Sequence, residues 1–558
     1  MKRLVLAVAL AWLTGAGSAV AQTPAPAPVA PPPPAAAQPT PVAASAAKAI
    51  TEEDLKNISG PKPEDKAKGD PAGTITGTVN DIPVSDAKKG LALDDLVNTV
   101  GQNVIASNFI WTLVTGFLVM FMQAGFAIVE TGLARAKNAN HTMMMNFMVY
   151  GVGMLGYWII GFAIQMGGVA PNTNLGGLAP LNHEVAISLF GKNWGLFGTQ
   201  GMFLGGATYD VGVMVMFLFQ MVFMDTALTI VTGTAAERWR YSAFILSSLF
   251  MGAFIYPLFG NWAWGGGWLA TLGASYGLGH GYCDFAGSGV VHSVGGVTAL
   301  AMAIIIGPRI GKYSRSGKPN AIPGHDITLV LLGCFILAFG WFGFNPGSTL
   351  GAATSGNLRI SSVAVNTMLA GMAGSFSGMY YMWIRYGKPD ASMTGNAFLA
   401  GLVAITAPSG FVNPMASVII GLIAGVLVCL SCEVIERKAK LDDVVGAISV
   451  HGTNGIWGVI SVGLFADGKS NYAGAWNGVP GSVTGLFYGD AGQLVAQLIG
   501  VATLIGFVFT FSFVFNAILE AVWGHRVTPE VELQGLDIPE MGALGYPEFV
   551  LREDAATV

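Results

Sequence analysis

Two short stretches each place a carboxylate and an imidazole eight residues apart, among small and apolar residues. "DFAGSGVVH" carries Asp284 and His292, and "DDVVGAISVHG" carries Asp443 and His451. Eight residues rise about 12 Å along an α-helix, and the helix dipole stabilises a carboxylate near the helix N-terminus. The spacing therefore predicts that each Asp anchors the start of a helix and that each His lies well inside it.

The composition places these helices in lipid. Hydrophobic residues make up 53% of the 558 residues and charged residues only 11%, whereas soluble domains carry about 25% charged residues. The net charge of −5 is then no guide to nucleic acid, and we expect no nucleic-acid partner. Ionisable side chains inside a membrane are costly and usually mark a pathway.

Packing is the alternative role for each of these two histidines taken alone. The other five histidines fall in loops or at segment ends: His141, His183, His280, His325 and His525. A metal site needs more ligands than one histidine pair, and the "CLSC" at 429–432 lacks a second ligand pair. We expect no metal, no cofactor and, without a nucleophile or metal cluster, no enzyme.

Apolar stretches near 20 residues long recur from about Ile105 onward, as spanning a hydrocarbon layer requires. Helices are expected because every backbone polar group in lipid must be satisfied within its own segment. The predicted fold class is an all-α polytopic membrane protein with eleven transmembrane helices. They lie near 106–130, 143–168, 209–233, 241–262, 285–307, 326–346, 360–385, 392–407, 411–435, 444–466 and 491–521.

The basic residues between these segments predict the orientation. Alternate loops carry Arg135, Lys137, Arg238, Arg240, Arg309, Lys312, Arg315, Lys318, Arg385, Lys388, Arg437, Lys438 and Lys440. The opposite loops carry only Lys192, Arg359 and Lys469. By the positive-inside rule, the mature N-terminus lies outside and the C-terminus lies in the cytoplasm, in a cell (inner) membrane.

The two Asp–His stretches also predict internal symmetry. Asp284 and His292 belong to the fifth segment, which starts outside, whereas Asp443 and His451 belong to the tenth, which starts inside. Opposite directions are what a pseudo-two-fold axis in the membrane plane produces. We therefore expect a five-plus-five inverted repeat, with the eleventh helix outside it.

The N-terminus reads as a targeting segment followed by a tether. Lys2 and Arg3, an apolar run and a small-residue end at Ala21 predict a signal peptide over 1–21. The Pro/Ala-rich and polar segment 22–97 is expected to be extracytoplasmic and mostly disordered, with a small folded domain as the alternative. The membrane domain is then 98–521, and 522–558 form a cytoplasmic tail.

Several motifs in order carry a family resemblance. They are "FQMVFMDTALTIVTGTAAER" at 219–238, "DFAGSGVVH" at 284–292, "GWFGFNPGS" at 340–348, "AGLVAIT" at 400–406, "VHGTNGIWG" at 450–458 and "GLDIPE" at 535–540. With these motifs the chain resembles the ammonium transporter family (Amt/Mep/Rh), and more closely its Amt branch, from about Ile110 to Tyr546. The resemblance implies a homotrimer of eleven-helix bundles, each with its own pore for ammonium or ammonia.

The resemblance also implies roles for individual residues at the outer end of the pore. Phe219 and Phe223 become the stacked rings that close the pore. Phe223 and Trp264 become aromatic walls that recruit the cation, since an aromatic face attracts ammonium by about 2 kcal/mol. Asp284 becomes a structural carboxylate near recruitment, and Asn396 stands where some relatives place a Ser hydroxyl near the cation.

The same resemblance implies that His292 and His451 are the pair of histidines in the pore. The free-energy costs of moving an ion and of deprotonating it suggest how this pair acts. A full charge at the bilayer centre costs about 10–17 kcal/mol in simulations, whereas deprotonating ammonium near neutral pH costs about 3 kcal/mol. The expected function is ammonium transport in which ammonia crosses and the histidines relay the proton. A passive ammonia channel and an ammonium sensor on the same scaffold stay open as alternatives.

The tail suggests a partner. "VELQGLDIPEMG" at 531–542 resembles the family tail that packs beneath the bundle, which implies that a PII-type signalling protein can bind at the cytoplasmic face. Asp537 and Glu540 are expected to pair with the basic inner loops. A passive acidic tail is the alternative. Asp225, inside the third segment, is expected either to pair with a neighbouring helix or to tune the pore.

Overall fold

The structure is a computed structural model that describes residues 93–169, 172–353, 359–468 and 476–547, with side chains from Thr99 onward. The chain divides into two compact units, Met1–Leu96 and Val97–Val558, and the second is the subject below. The predicted signal peptide at 1–21 lies outside the described residues, as does nearly all of the segment predicted for 22–97.

Helices dominate the second unit. Each apolar stretch singled out in the sequence coincides with one, and we number these α1 to α11. They are α1 Leu93–Leu133, α2 Ala136–Met166, α3 Val211–Ala235, α4 Tyr241–Trp264, α5 Ser288–Ile306, α6 Ile327–Thr349, α7 Ile360–Tyr386, α8 Ala391–Thr406, α9 Pro414–Ala439, α10 448–465 and α11 Ala491–Val522.

Eight of these helices are long and apolar enough to cross a membrane, counted over the described residues. The other three, α7, α8 and α10, fall outside those limits, and α8 has only 16 residues. A helix packed among other helices needs less hydropathy than one that faces lipid. The chain is thus a multi-pass membrane protein, and the count of eleven crossings stays a prediction.

The helical bundle has two distinguishable ends. A two-stranded antiparallel hairpin, β1 Glu184–Leu189 and β2 Lys192–Gly198, joins α2 to α3. Its Glu184 accepts a hydrogen bond from Asn261 near the end of α4 (3.1 Å). We call this end the hairpin face. Residues 523–547 pack on the opposite end, which we call the tail face.

Small residues allow α7, α8 and α9 to approach closely. A Cβ built on Gly401 of α8 or on Gly421 of α9 would lie 2.3 or 2.2 Å from the carbonyl oxygen of Ala370 in α7. Real Cβ atoms do not approach that closely, so these positions require glycine. Packing through small residues is typical of helices in membranes, where it brings backbones into contact.

A buried charge cluster fixes the tail face. The Arg309 guanidinium lies 2.8 Å from Asp442 and 2.8 Å from Glu237. Burial raises the pKa of the Asp442 carboxyl, but hydrogen bonds from Arg309 and the charges of Arg238 and Arg309 outweigh it, so the pKa is lowered below its usual range. These pairs tie the ends of α3 and α5 to the start of α10.

Local backbone geometry is unusual at two matching places. Both α5 and α10 begin with a π-helical turn, at Ser288–Ser293 and Ile448–Thr453. Such turns are rare and often lie at functional sites. A glycine in the left-handed region precedes each turn, Gly287 with φ 114° and Gly446 with φ 82°. The turns contain His292 and His451.

Candidate functional site

Asp284 anchors the start of α5. Its Oδ1 accepts a hydrogen bond from the backbone N–H of Gly287 (2.7 Å). Its Oδ2 accepts from Gly289 (2.9 Å) and Val290 (2.9 Å). The carboxylate thus satisfies N–H groups that a helix start leaves without intrahelical partners. The position predicted for Asp284 at a helix start is confirmed.

Asp443 does the same for α10 from the other end of the bundle. Its carboxylate accepts from the backbone N–H of Ala447 (3.1 Å) and of Ile448 (2.8 Å). The Thr234 hydroxyl donates to it as well (2.8 Å). The order Asp, left-handed Gly three residues later and His eight residues later therefore occurs twice, once from each face.

The two histidines meet between these helix starts. Nδ1 of His292 lies 3.2 Å from Nδ1 of His451, and the rings are stacked with centroids 5.2 Å apart. Both side chains are buried. A hydrogen bond between two Nδ1 atoms needs a proton on one of them only, so the pair shares one proton. Nε2 of His292 has no protein partner in the described part of the chain.

A series of aromatic rings leads from the hairpin face to this pair. The Trp264 ring lies 6.2 Å from that of Phe223, in an edge-to-face arrangement. Phe223 stacks on Phe344 at 4.1 Å, and Phe344 stacks on His292 at 5.3 Å. The order is therefore Trp264, Phe223, Phe344, His292 and His451.

The stacking partner of Phe223 differs from the one that the sequence suggested. Phe219 does contact Phe223, at 4.7 Å, as an i, i+4 pair on one helix face should, but the rings are tilted by 37°. Phe344 is the parallel partner, at 25°. Sequence reasoning singled out "GWFGFNPGS" but assigned no role to its aromatic rings. Trp341 of the same motif also stacks on His292, at 5.3 Å.

Trp264 is held in place by the loop that precedes α5. Its indole Nε1 donates a hydrogen bond to the backbone carbonyl of Asp284 (2.7 Å). The side chain is only partly buried, unlike that of Phe223. One residue, Asp284, therefore caps α5 through its carboxylate and fixes the outermost ring of the series through its carbonyl.

A small cavity lies beyond the histidine pair, on the side away from Phe344. Its volume is ≈ 20 Å³, which is enough for a water-sized molecule. Glu130, Asn396 and His451 supply its polar side chains, and the rest of the lining is apolar. Phe126, one of the apolar residues, lies 5.8 Å from the His451 ring.

Residues 110–546 match the family described as the Ammonium Transporter Family. The chain belongs to this family. Ammonium transporter Amt2 of Archaeoglobus fulgidus is 46% identical over 449 residues, which cover 80% of this chain and 89% of that protein. Ammonium transporter Amt1 of Haloferax mediterranei is 37% identical, over 81% of this chain and 82% of that protein.

Solved structures of two family members resemble this chain. A structure described as a Sensor Amt Protein is 36% identical, with a TM-score of 0.67, and the match covers 79% of this chain and 99% of that one. The structure of Candida albicans Mep2 is 25% identical, with a TM-score of 0.63, over 79% of this chain and 90% of that one.

Asn396 of this family member does not lie with the recruitment residues proposed from its sequence. It sits near the start of α8, which enters from the tail face, and its Nδ2 donates to the carbonyl of Val445 (3.1 Å). Trp264 ends α4 at the hairpin face. Asn396 therefore lines the cavity beyond His451, on the side of the histidine pair away from the outer rings.

The tail carboxylates of this family member also bind differently from the expectation. Asp537 accepts from the backbone N–H of Asn140 (3.1 Å) and of His141 (2.9 Å), and so caps α2. Glu540 accepts from the N–H of Tyr241 (2.9 Å) at the start of α4. Neither forms an ion pair with a basic side chain in the described residues. Helix N-termini carry partial positive charge, which replaces the expected Lys and Arg partners.

Asp225 is buried in α3 at 1% exposure, and its Oδ1 has no hydrogen-bond partner among the described residues. It does not line the cavity beyond His451. Since Phe223 lies two residues earlier, the helical period turns the Asp225 side chain away from the ring series.

Proposed function

We propose that this family member transports ammonium by separating the ion into ammonia and a proton. Ammonium is recruited at Trp264 and Phe223 and gives up a proton there to a water molecule. Ammonia then passes Phe223 and Phe344 to the histidine pair, and the proton is transferred separately. The observation that carries the proposal is the hydrogen bond between His292 and His451, buried at the end of a series of aromatic rings.

The relative costs favour this route over passage of the intact ion. The path from Phe223 to His451 is lined by rings, and no acidic side chain hydrogen-bonds to the histidine pair in the described residues. An intact ion in such surroundings meets a cost of about 10–17 kcal/mol. Releasing the proton near neutral pH costs about 3 kcal/mol. Neutral ammonia therefore crosses, and the ion does not.

The histidine pair provides the path for the proton. Two imidazoles that share one proton can accept another at one end and release one at the other, provided that their rings stay in hydrogen-bond contact. The Nε2 of His292 faces no protein donor or acceptor in the described part of the chain. It is therefore available to ammonia or to a water molecule that carries the proton.

Recruitment belongs to the outer rings. Trp264 is partly exposed and held by the Asp284 carbonyl, so its face is presented without the entropy cost of ordering a mobile ring. A cation over such a face gains up to about 2 kcal/mol. No carboxylate is needed, and a site without a counter-ion releases its cation quickly. Phe219 and Phe223, with Phe344, close the path beneath.

We further propose eleven crossings with a five-plus-five inverted repeat. The repeated order of capping Asp, left-handed Gly and buried His in α5 and α10 supports the repeat, because the two helices run in opposite directions. In this arrangement the hairpin face is extracytoplasmic and the tail face is cytoplasmic, in an inner membrane. The protein is proposed to assemble as a homotrimer with one pore in each subunit.

Control from the tail face is part of the same proposal. The tail caps α2 and α4 through Asp537 and Glu540, so a partner that displaces it would free two helix starts close to the inner end of the path. A PII-type signalling protein is the proposed partner. Capping hydrogen bonds contribute about 0.5–2 kcal/mol each, and the Asp537 side chain is buried, so a partner must displace a packed tail to free these helix starts.

The decisive experiment measures current and ammonia flux on the same reconstituted protein. An ammonium pulse on a supported membrane should give a current, and stopped-flow pH measurement on proteoliposomes should report ammonia entry. Ammonia entry without current would replace the proposal by a passive channel. Empty liposomes and a buffer pulse of equal ionic strength are the controls.

A sensor is the second candidate, because one of the similar solved structures is described as a Sensor Amt Protein and matches this chain over 79% of its length. A sensor binds ammonium without turnover. Ammonium binding by calorimetry, together with neither current nor ammonia entry, would favour it over transport.

A further inference from the structure

Glu130 is a buried acid at the inner end of the proposed path. It lies in the last turn of α1, is 2% exposed and lines the ≈ 20 Å³ cavity together with His451 and Asn396. A molecule of ammonia that has passed the histidine pair enters this cavity next. The carboxyl group is then the only acidic side chain in its lining among the described residues.

The groups around Glu130 are neutral. Its Oε2 accepts a hydrogen bond from Asn146 Nδ2 (2.7 Å). The Thr232 hydroxyl oxygen lies 3.1 and 2.9 Å from the two carboxyl oxygens. No Lys or Arg pairs with Glu130 in the described residues. An uncompensated carboxylate in such a place is costly, whereas the neutral acid is not.

Counting hydrogens supports the neutral acid. The Thr232 hydroxyl oxygen also lies 2.6 Å from the Thr229 carbonyl oxygen, a distance that two acceptors keep only with a hydrogen between them. A hydroxyl has one hydrogen to donate. When it is directed to the Thr229 carbonyl, the contact between Thr232 and Glu130 needs a hydrogen from Glu130. The Thr232 hydroxyl donates to Glu130 in one arrangement and to Thr229 in the other, and the second arrangement requires a protonated Glu130 carboxyl that donates to Thr232.

We propose that Glu130 is the acid that converts ammonia back to ammonium at the inner end of the path. The inference rests on the proposed function, because it needs ammonia and a proton to arrive separately. In the step, the O–H bond of Glu130 breaks and an N–H bond forms on ammonia, which leaves a carboxylate beside an ammonium ion. The ion departs, and the carboxylate then takes up the proton relayed through His451. One ammonia and one proton cross in each cycle.

Asn396 completes the site. Its Nδ2 donates to the Val445 carbonyl, and its side-chain oxygen has no protein donor in the described part of the chain. That oxygen and the Glu130 carboxylate are both acceptors, as the four N–H groups of ammonium require. His451 closes the cavity on the opposite side. The cavity thus has an acid for the neutral molecule and acceptors for the ion.

The test replaces Glu130 by Gln in the full-length protein. Glutamine keeps the geometry of the protonated acid, since its carbonyl can accept from Asn146 and its amide can donate to Thr232, but it has no proton to transfer. The matched control is Asp225→Asn, an equally buried acid that does not line the cavity. Both are reconstituted and compared with the wild type in ammonium-evoked current and in ammonia entry.

We expect Glu130→Gln to lower the current by at least about 100-fold, the low end of general acid–base contributions, with ammonia entry within about twofold of the wild type. Asp225→Asn should retain the current. Infrared difference spectra on an ammonium pulse should show loss of a protonated carboxyl band in the wild type that the Gln variant lacks.

Other outcomes distinguish a failure of the role of Glu130 from a failure of the proposed function. Wild-type current in Glu130→Gln would overturn the role of Glu130 and leave the proposed function intact. A wild type that gives ammonia entry but no current would overturn proton transfer as a whole, and the role of Glu130 with it. Equal loss of current in Asp225→Asn would show a general effect of neutralising buried acids, and would also overturn the role.

Discussion

Removing one ring from the histidine pair should abolish the ammonium-evoked current while ammonia entry continues. His292→Ala takes away a ring whose centroid is 5.3 Å from Phe344 and 5.2 Å from His451. No ring nitrogen then lies between those two residues. The path stays apolar and wider, so ammonia should still cross, whereas the proton loses its relay.

The size of the effect follows from the free-energy cost of moving a charge through the path compared with that of deprotonating ammonium. A charge without the relay meets at least about 10 kcal/mol in place of about 3 kcal/mol. The difference of about 7 kcal/mol corresponds to about five orders of magnitude in rate. The lost hydrogen bond itself contributes only about 0.5–1.5 kcal/mol to stability. The variant should therefore fold, with current below detection and ammonia entry retained.

The assay is current on a supported membrane, normalised to the amount of folded protein, for His292→Ala and His451→Ala. His141→Ala is the matched control, because His141 is equally buried and both of its ring nitrogens lack partners in the described residues, yet it lies at the tail-face end of α2. Wild-type current in both pore variants would refute the relay. Loss of current in His141→Ala alone would do the same.

Three further predictions concern the outer ring, the charge cluster and the tail. Trp264→Leu should weaken the apparent ammonium affinity in a current titration by up to about 30-fold, the equivalent of about 2 kcal/mol. Trp264→Phe keeps an aromatic face and should lose less affinity. Equal affinities in the wild type and both variants would show that Trp264 only packs. Because the pKa of Asp442 in the folded protein lies below its usual value of about 3.9, its pairing stabilises the fold above that pH and the contribution is lost as the pH falls below it. The melting temperature in detergent should thus drop on acidification in the wild type, and Asp442→Asn should be less stable at neutral pH and change less on acidification; a wild-type-like pH profile in the variant would contradict the assignment. Deleting the residues after Val531 should lower the current or abolish inhibition by an added PII-type protein, with an unchanged oligomer on size exclusion; full current that the PII-type protein still blocks would remove the tail from control.

The sequence could predict whatever depends on neighbours along one helix. Asp284 and Asp443 lie at helix starts because a carboxylate followed by small residues caps the N–H groups nearest to it in sequence. Phe219 and Phe223 contact each other because four residues return a helix to the same face. The apolar stretches coincide with helices for the same reason, since lipid leaves the backbone no other partners.

Contacts between distant segments were beyond reach of the same reasoning. Phe344, not Phe219, stacks on Phe223 because α6 brings its ring alongside from 121 positions further along the chain. Asn396 lies beyond His451 because α8 enters from the tail face, which fixes its depth. Asp537 caps α2 through backbone N–H groups, which carry no sequence signal at all.

Local patterns in the sequence were enough to predict a membrane protein of apolar helices, its two Asp–His elements and its resemblance to the ammonium transporter family. Three features came from the packing of the helices alone: the two imidazoles meet Nδ1 to Nδ1 at 3.2 Å, Phe344 continues the ring series, and Glu130 shares a cavity with His451. Hydropathy and helix capping are local and leave a pattern in one segment. The distance between two side chains on different helices is set by how those helices pack, and packing depends on every residue at their interface.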